Sequence, residues 1–350
     1  MKAYILHGIN DLRMEERPIP PLEPSQALIQ VRAAGICGSD IPRIFQTGTY
    51  SFPTVPGHEF AGVVADVGAQ VDRDWIGRPV GVFPLIPCGE CAPCKQKKYE
   101  LCRHYSYLGS RTDGGFAEYV AVPRDNLIAL PDNVSFEAAA MLEPMAVAVH
   151  AMRLARPQPG QTVMVYGLGT IGLLLAMFLK EAGITRVLAA GNKERQKKLT
   201  SVLGIGEEDY CDTGEQALKP WLLQRTDGAG ADVFFECIGK SDTIADAIDL
   251  TAPSGTVQMV GNPYGDIVLD KAVYWKILRN QLTVRGSWNS SFTHEESDDW
   301  HYALKRMAEE RIDPERLITH RFPFEELRQG LLLMRDKREE YVKVMTILDA

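Results

Sequence analysis

The most apolar run in the chain, VMVYGLGTIGLLLAMFL at residues 163–179, approaches the length of a membrane span. Glycines at 167, 169 and 172 divide it into a short strand, a tight turn and the start of a helix, so the pattern predicts a buried strand-turn-helix instead. The helix pattern continues to about Gly183, and a second strand, RVLAA, follows at residues 186–190. Further strand patterns stand at ADVFFECIG (231–239), GTVQMVG (255–261) and LTVRGSW (282–288). About six strands alternating with helices between Pro157 and Trp288 predict a doubly wound α/β domain. The chain has no internal repeat.

The turn in this run reads Gly167-x-Gly169-x-x-Gly172, with Thr170 and Ile171 opening the helix. Glycines there let the backbone approach a pyrophosphate whose charge sits on the helix N-terminus, so these five residues are candidate cofactor contacts. An acidic residue at the end of the second strand would bind the ribose hydroxyls of NAD. This chain has AAGNKERQKK, with Gly191 at that position and Asn192, Lys193 and Arg195 after it. A small residue followed by cations suits a 2′-phosphate, which favours NADP over NAD. The competing reading is a set of ordinary solvated residues at a helix start.

At 350 residues the chain is long enough for two domains. A net charge of −8 argues against nucleic acid or an anionic membrane as partner, while leaving room for an anionic small substrate. The start, MKAYILHGIND, shows no secretory signal, so a cytoplasmic protein with reduced thiols is expected.

That expectation bears on the seven cysteines. Cys88-x2-Cys91-x2-Cys94-x7-Cys102 lies in a polar, lysine-rich loop with turn residues Gly89 and Pro93. The spacing favours a closed four-thiolate structural zinc site over disulfides or a redox pair. A second set is scattered: Cys37 in AGICGSD, His58 and Glu59 in VPGHEF, and Glu143 in MLEPMAVAVHA. Thiolate, imidazole and carboxylate form the mixed set that holds a catalytic zinc with a position left open. Taken singly, Cys37 reads as a small core residue, His58–Glu59 as a satisfied pair, and Glu143 as a first-turn helix carboxylate. Cys211 and Cys237, at or near strand ends, read as buried small hydrophobes. His150, seven residues after Glu143, shares its predicted helix face without an assigned role.

Cys37, GHE at 57–59, the four-cysteine lobe, Glu143-Pro144 and the later glycine turn, in this order, resemble the zinc-dependent medium-chain alcohol dehydrogenases over essentially the whole chain. Glu143 in place of a cysteine points to the polyol branch. CGSDIPRIF, GSRTDGGFAEY and RGSWN resemble the galactitol-phosphate dehydrogenases of that branch.

The resemblance implies an α/β protein in two parts. A GroES-like distorted β-barrel catalytic domain would occupy 1–150 and 288–350, and a Rossmann doubly wound dinucleotide-binding domain 151–287. Strand patterns KAYILHG, QALIQVRAAG and AGVVADVG, separated by Pro and Gly turns, suit the first part, and YVKVMTILD would add its last strand. The catalytic site would lie in the cleft between the domains. Zinc held by Cys37, His58 and Glu143 would lower the pKa of a substrate hydroxyl, with hydride passing to NADP or NAD. By the same resemblance Ser39 relays the proton and Asp40 orients His58 or the serine. Glu59 is either an outer residue or a fourth ligand when substrate is absent.

Arg43 and Arg111 are candidate phosphate contacts, each equally readable as a surface arginine. Ser110, Tyr50, Trp288 and Asn289 are candidate polyol contacts. The implied substrate is a small polyol or polyol phosphate, and the implied assembly a homo-oligomer, dimer or tetramer. An unphosphorylated sorbitol- or xylitol-type polyol and a threonine-type amino-alcohol remain alternatives. Outside that class stand a metal-free reductase of quinones or enones and a nucleotide-binding structural zinc module.

Overall fold

The computed structural model describes residues 1–348, in two compact units: Met1–Pro144 with the residues from Ser291 on, and Met145–Ser290. The first division falls inside helix Leu142–Ala155, a continuous element that offers no break for the sequence to announce.

In the second unit a six-stranded sheet runs in the spatial order Tyr210–Asp212, Arg186–Gly191, Thr162–Tyr166, Ala231–Glu236, Thr251–Met259, Thr283–Gly286, with every pairing parallel. This is the doubly wound arrangement expected from alternating strands and helices. Val163, Met164 and Val165 are fully buried, as a central parallel strand covered on both faces requires. Helix Thr170–Glu181 is continuously buried from Gly172 to Leu179, which explains why its sequence is apolar all round.

The glycine turn before that helix has separate causes at separate positions. Gly167 adopts φ 99°, a left-handed conformation that side chains disfavour. At Gly172 the reason is space, because a β-carbon would stand 1.9 Å from the carbonyl oxygen of Gly167. Gly169 is the N-cap, and the volume over it is open.

The first unit is built on strands Ile318–Pro323, Lys343–Ile347, Gln26–Ile36, Glu59–Val67, Pro79–Val82 and Leu127–Ala129 in that spatial order. Strand Tyr119–Pro123 pairs with the first half of Gln26–Ile36, and Lys343–Ile347 with its last residues. The long strand therefore joins three neighbours, and its end is enclosed. There Gly35 lies opposite both Glu59 and Met345, which places Glu59 and Lys343 at the same end of the sheet. Among the described residues no helix is long and apolar enough to cross a membrane.

Replacing Gly172 with Ala should destabilise the protein by about 2–4 kcal/mol, because the backbone oxygen it meets cannot swing aside. A urea-unfolding midpoint equal to wild type would show that the turn tolerates a side chain there.

Candidate active site

Cys88, Cys91, Cys94 and Cys102 bring their sulfurs within 4.8 Å of one another. The Cys91–Cys94 Sγ separation is 3.4 Å, and Cys88–Cys94 and Cys91–Cys102 are 3.9 Å. A disulfide would need about 2.05 Å, whereas four ligands about 2.3 Å from one zinc stand roughly 3.8 Å apart. The residues thus suit a closed tetrahedral zinc. Cys91 caps the short helix Ala92–Lys95, and backbone N–H groups of Arg103 and Cys94 bring its thiol down to about 6, toward the ligating thiolate.

The second group lies at the enclosed end of the long strand. Cys37, His58 and Glu59 offer ligand atoms within 4.8 Å of one another. Cys37 follows the strand end, its N–H donating to Asp40 Oδ2 at 2.9 Å. Ser39 Oγ donates to Cys37 Sγ at 3.2 Å. Gly57, at φ 94°, turns the chain so that His58 enters strand Glu59–Val67 from the buried side. Its Nδ1 lies 3.4 Å from Asp40 Oδ1, the carboxylate-imidazole relation that orients a ligating histidine. Burial pulls the His58 imidazole down, but the charges of Asp40 and Cys37 outweigh it and hold it well above its ordinary range.

Glu59 is fixed from behind by Lys343, whose ammonium donates to Glu59 Oε2 and, at 3.2 Å, to the carbonyl of Ile36. Both side chains are about 1–2% exposed, so the charges compensate each other away from water. Gly35 makes room for them: a β-carbon there would stand 2.4 Å from Glu59 Oε2 and 2.7 Å from Lys343 Cε.

Glu143, in the first turn of helix Leu142–Ala155, is not in the compact trio. It accepts a hydrogen bond from the buried Tyr107 hydroxyl at 3.2 Å. Burial pushes its carboxyl up to about 7, and it feels the charges of His58, Glu59 and Lys343. The donors therefore fit a first-row ion, with Glu59 in the compact group and Glu143 held beside it.

Lys343 and Tyr107 are site residues that sequence reasoning missed. A lysine opening the mostly apolar KVMTI strand was an available signal; a tyrosine in the two-residue strand Ser106–Tyr107 was not.

In the second unit Gly191 is the last residue of strand Arg186–Gly191, its carbonyl accepting from Thr213 N at 2.8 Å and Thr213 Oγ1 at 3.1 Å. Asn192 follows, Lys193 is the N-cap of helix Glu194–Val202, and Arg195 sits in its first turn. Arg43, Tyr50, Ser110 and Arg111 belong to the first unit; Trp288 and Asn289 belong to the second. Ser110 is buried, while Tyr50 and Trp288 are exposed. His150 lies on the Glu143 helix. Cys211 is buried, and Cys237, one residue beyond strand Ala231–Glu236 with its N–H donating to the Tyr166 carbonyl at 2.8 Å, is half-buried.

Metal analysis should find two zinc ions per chain, and Cys94→Ser should remove one while lowering the unfolding midpoint. Lys343→Met should cost about 3–5 kcal/mol by leaving the Glu59 carboxylate buried and unpaired; a denaturation curve matching wild type would sink the pairing. Glu143 is raised from 4.5 to about 7, so in metal-free protein its stabilising contribution is full below 4.5 and lost as pH rises through 7. Glu143→Gln should flatten that part of the stability-pH profile, measured by urea unfolding after chelation.

Residues 23–132 match the alcohol dehydrogenase GroES-like domain, and residues 170–309 match the zinc-binding dehydrogenase domain. Galactitol 1-phosphate 5-dehydrogenase of Escherichia coli K12 is 32% identical, with 95% of each chain covered. The solved E. coli galactitol-1-phosphate dehydrogenase superposes with a TM-score of 0.91 at 32% identity, covering 99% of this chain and all (100%) of that one. D-xylulose reductase A of Aspergillus oryzae is also 32% identical, over 94% of this chain and 92% of its own. A structure described as a zinc-binding dehydrogenase from Sinorhizobium meliloti 1021, bound to NADP, gives a TM-score of 0.90 at 28% identity, covering 99% and 98% of the two chains. With a GroES-like unit that carries the mixed ligand group and a doubly wound unit that carries the glycine turn, this chain belongs to the zinc-dependent medium-chain alcohol and polyol dehydrogenases, oxidoreductases that use zinc and NAD(P).

Proposed function

We propose that this chain oxidises a secondary alcohol of a sugar-alcohol phosphate to the keto-sugar phosphate, with galactitol 1-phosphate the leading substrate and NADP the hydride acceptor. The observation that carries the phosphate assignment is a pair of guanidiniums linked to the ligand group. Arg43 Nη1 lies 3.8 Å from Asp40 Oδ1 and is buried without a hydrogen-bond partner. The Arg111 guanidinium is stacked 3.9 Å from the Tyr50 ring centroid and 4.6 Å from that of Tyr105, with its buried Nε also unpartnered. Tyr105 packs on Tyr107 at 6.3 Å and Tyr107 on His58 at 5.7 Å, so a row of rings joins Arg111 to the metal ligands. Unspent N–H donors on two cations suit the oxygens of a phosphate.

Cys37, His58 and Glu59 would hold the zinc, with Glu143 adjacent, and the ion would supply the Lewis acidity that makes a substrate hydroxyl more acidic. Ser39, whose hydroxyl donates to Cys37 Sγ, is the proposed relay, accepting the substrate hydroxyl proton as it passes its own on toward solvent. Asp40 faces the His58 ring, and Lys343 holds Glu59 in place by donating to its Oε2. Ser110, Tyr50, Trp288 and Asn289 are the proposed partners of the remaining polyol hydroxyls, and Gly167, Gly169, Thr170, Ile171 and Gly172 of the pyrophosphate. Gly191, Asn192, Lys193 and Arg195 are assigned to the 2′-phosphate.

An unphosphorylated polyol is the second reading, favoured by the D-xylulose reductase relative at the same 32% identity. The proposed assembly is a homodimer formed by sheet extension: strand Thr283–Gly286 is exposed at every residue at the sheet edge, and exposed Tyr274, Trp275 and Leu278 occupy the preceding helix. A reducing cytoplasm suits the seven unpaired cysteines.

Initial rates with galactitol 1-phosphate against galactitol, each with NADP and NAD, test the proposal. The phosphorylated polyol with NADP should win, and Arg43→Ala or Arg111→Ala should raise its KM about ten- to hundredfold while leaving galactitol turnover alone. Equal or better turnover of galactitol would remove the phosphate assignment.

A further inference from the structure

The turn that ends strand Arg186–Gly191 is closed by side chains outside the glycine motif. Gly191 is buried, and its φ is not left-handed, so backbone conformation does not demand glycine there. Space does. A β-carbon on Gly191 would stand 2.4 Å from Gln196 Oε1, 3.1 Å from Tyr210 Oη and 3.2 Å from Leu168 Cδ1. The tyrosine and leucine need yield only a few tenths of an ångström, whereas Gln196 must leave. It is not free to do so at no cost, because its Oε1 accepts the Asn192 N–H at 3.0 Å. Tyr210 Oη donates to the Lys193 carbonyl at 3.4 Å, and Thr213 donates twice to the Gly191 carbonyl. The turn is thus a hydrogen-bonded unit whose inner volume belongs to Gln196.

We infer that Gln196 is a specificity-determining residue for the cofactor: by filling the space beside Gly191 it shuts out the acidic side chain that a ribose diol requires, and so keeps the turn set for a 2′-phosphate. This rests on the proposed preference for NADP. Its particular content is a coupling between positions 191 and 196. An acid placed at 191 pushes the Gln196 side chain off the Asn192 N–H and into the space the new carboxylate needs, so the two side chains compete for one volume. Shortening Gln196 at the same time removes the conflict.

The test uses the zinc-loaded full chain and two cofactor fragments, 2′,5′-ADP and 5′-ADP, titrated by calorimetry. Gly191→Asp alone should bind 5′-ADP within about twofold of wild type, and Gly191→Asp with Gln196→Ala should bind it about five- to tenfold more tightly than Gly191→Asp alone. Gly191→Ala should weaken 2′,5′-ADP about fivefold, and adding Gln196→Ala should restore most of that loss. A Gly191→Asp single variant that matches its double, or a Gly191→Ala variant that binds 2′,5′-ADP like wild type, overturns the inference. The alanine pair keeps the question answerable where the aspartate variants fail to fold. Wild type preferring 5′-ADP would instead overturn the NADP reading, while the coupling between 191 and 196 would still be read from the same cycle.

Discussion

The site depends on one buried charge pair. Lys343 enters from the last strand of the chain and Glu59 from a strand near its beginning, and their side chains meet beside Gly35 on the strand between. Neither charge could be buried alone, since an unpaired ion in that position is strongly destabilising. Their pairing lets the Glu59 carboxyl group stand beside the thiol of Cys37 and the imidazole of His58. Glycine at 35 is the steric condition for the meeting, because any β-carbon would displace both partners. Strand Lys343–Ile347 therefore also fixes the carboxylate that stands with Cys37 and His58.

The two metal groups are built on opposite principles. The four-cysteine lobe is local: its ligands come from one stretch of fifteen-odd residues, turned by Gly89 and the short helix that Cys91 caps, and four thiolates leave nothing open. The mixed group is assembled from a strand end, a turn entering a second strand and a helix start. Its side chains are held by others around it: Asp40 faces His58, Lys343 pairs with Glu59, and Tyr107 donates to Glu143. A closed site gains stability from its ion, whereas the open one gains chemistry from how firmly its surroundings hold each donor.

Much of the fold could be read from patterns because its cause is local. The doubly wound unit follows from strand and helix periods punctuated by glycine, and even the separate roles of Gly167 and Gly172 lie in the spacing of one turn. The kinds of donor side chain were also readable, as was Ser39 beside Cys37. The relation between Glu59 and Glu143 was not. From the sequence Glu59 reads as either an outer residue or a fourth ligand; strand register puts it with Cys37 and His58, while the phenol of strand Ser106–Tyr107 donates to Glu143. Gln196 was hidden in the same way, as one polar residue among several at a helix start.

By itself, then, the sequence determined the two units, the glycine turn, the cysteine lobe and the kinds of donor available for zinc, because periodicity and short spacing act over a few residues. Tertiary structure alone decided which carboxylate stands with Cys37 and His58, which lysine neutralises it, and what fills the space beside Gly191. The first two depend on contacts between segments tens to hundreds of residues apart and the third on how one turn folds back on its own helix start, and no local pattern encodes how far two side chains stand from each other once the chain has folded.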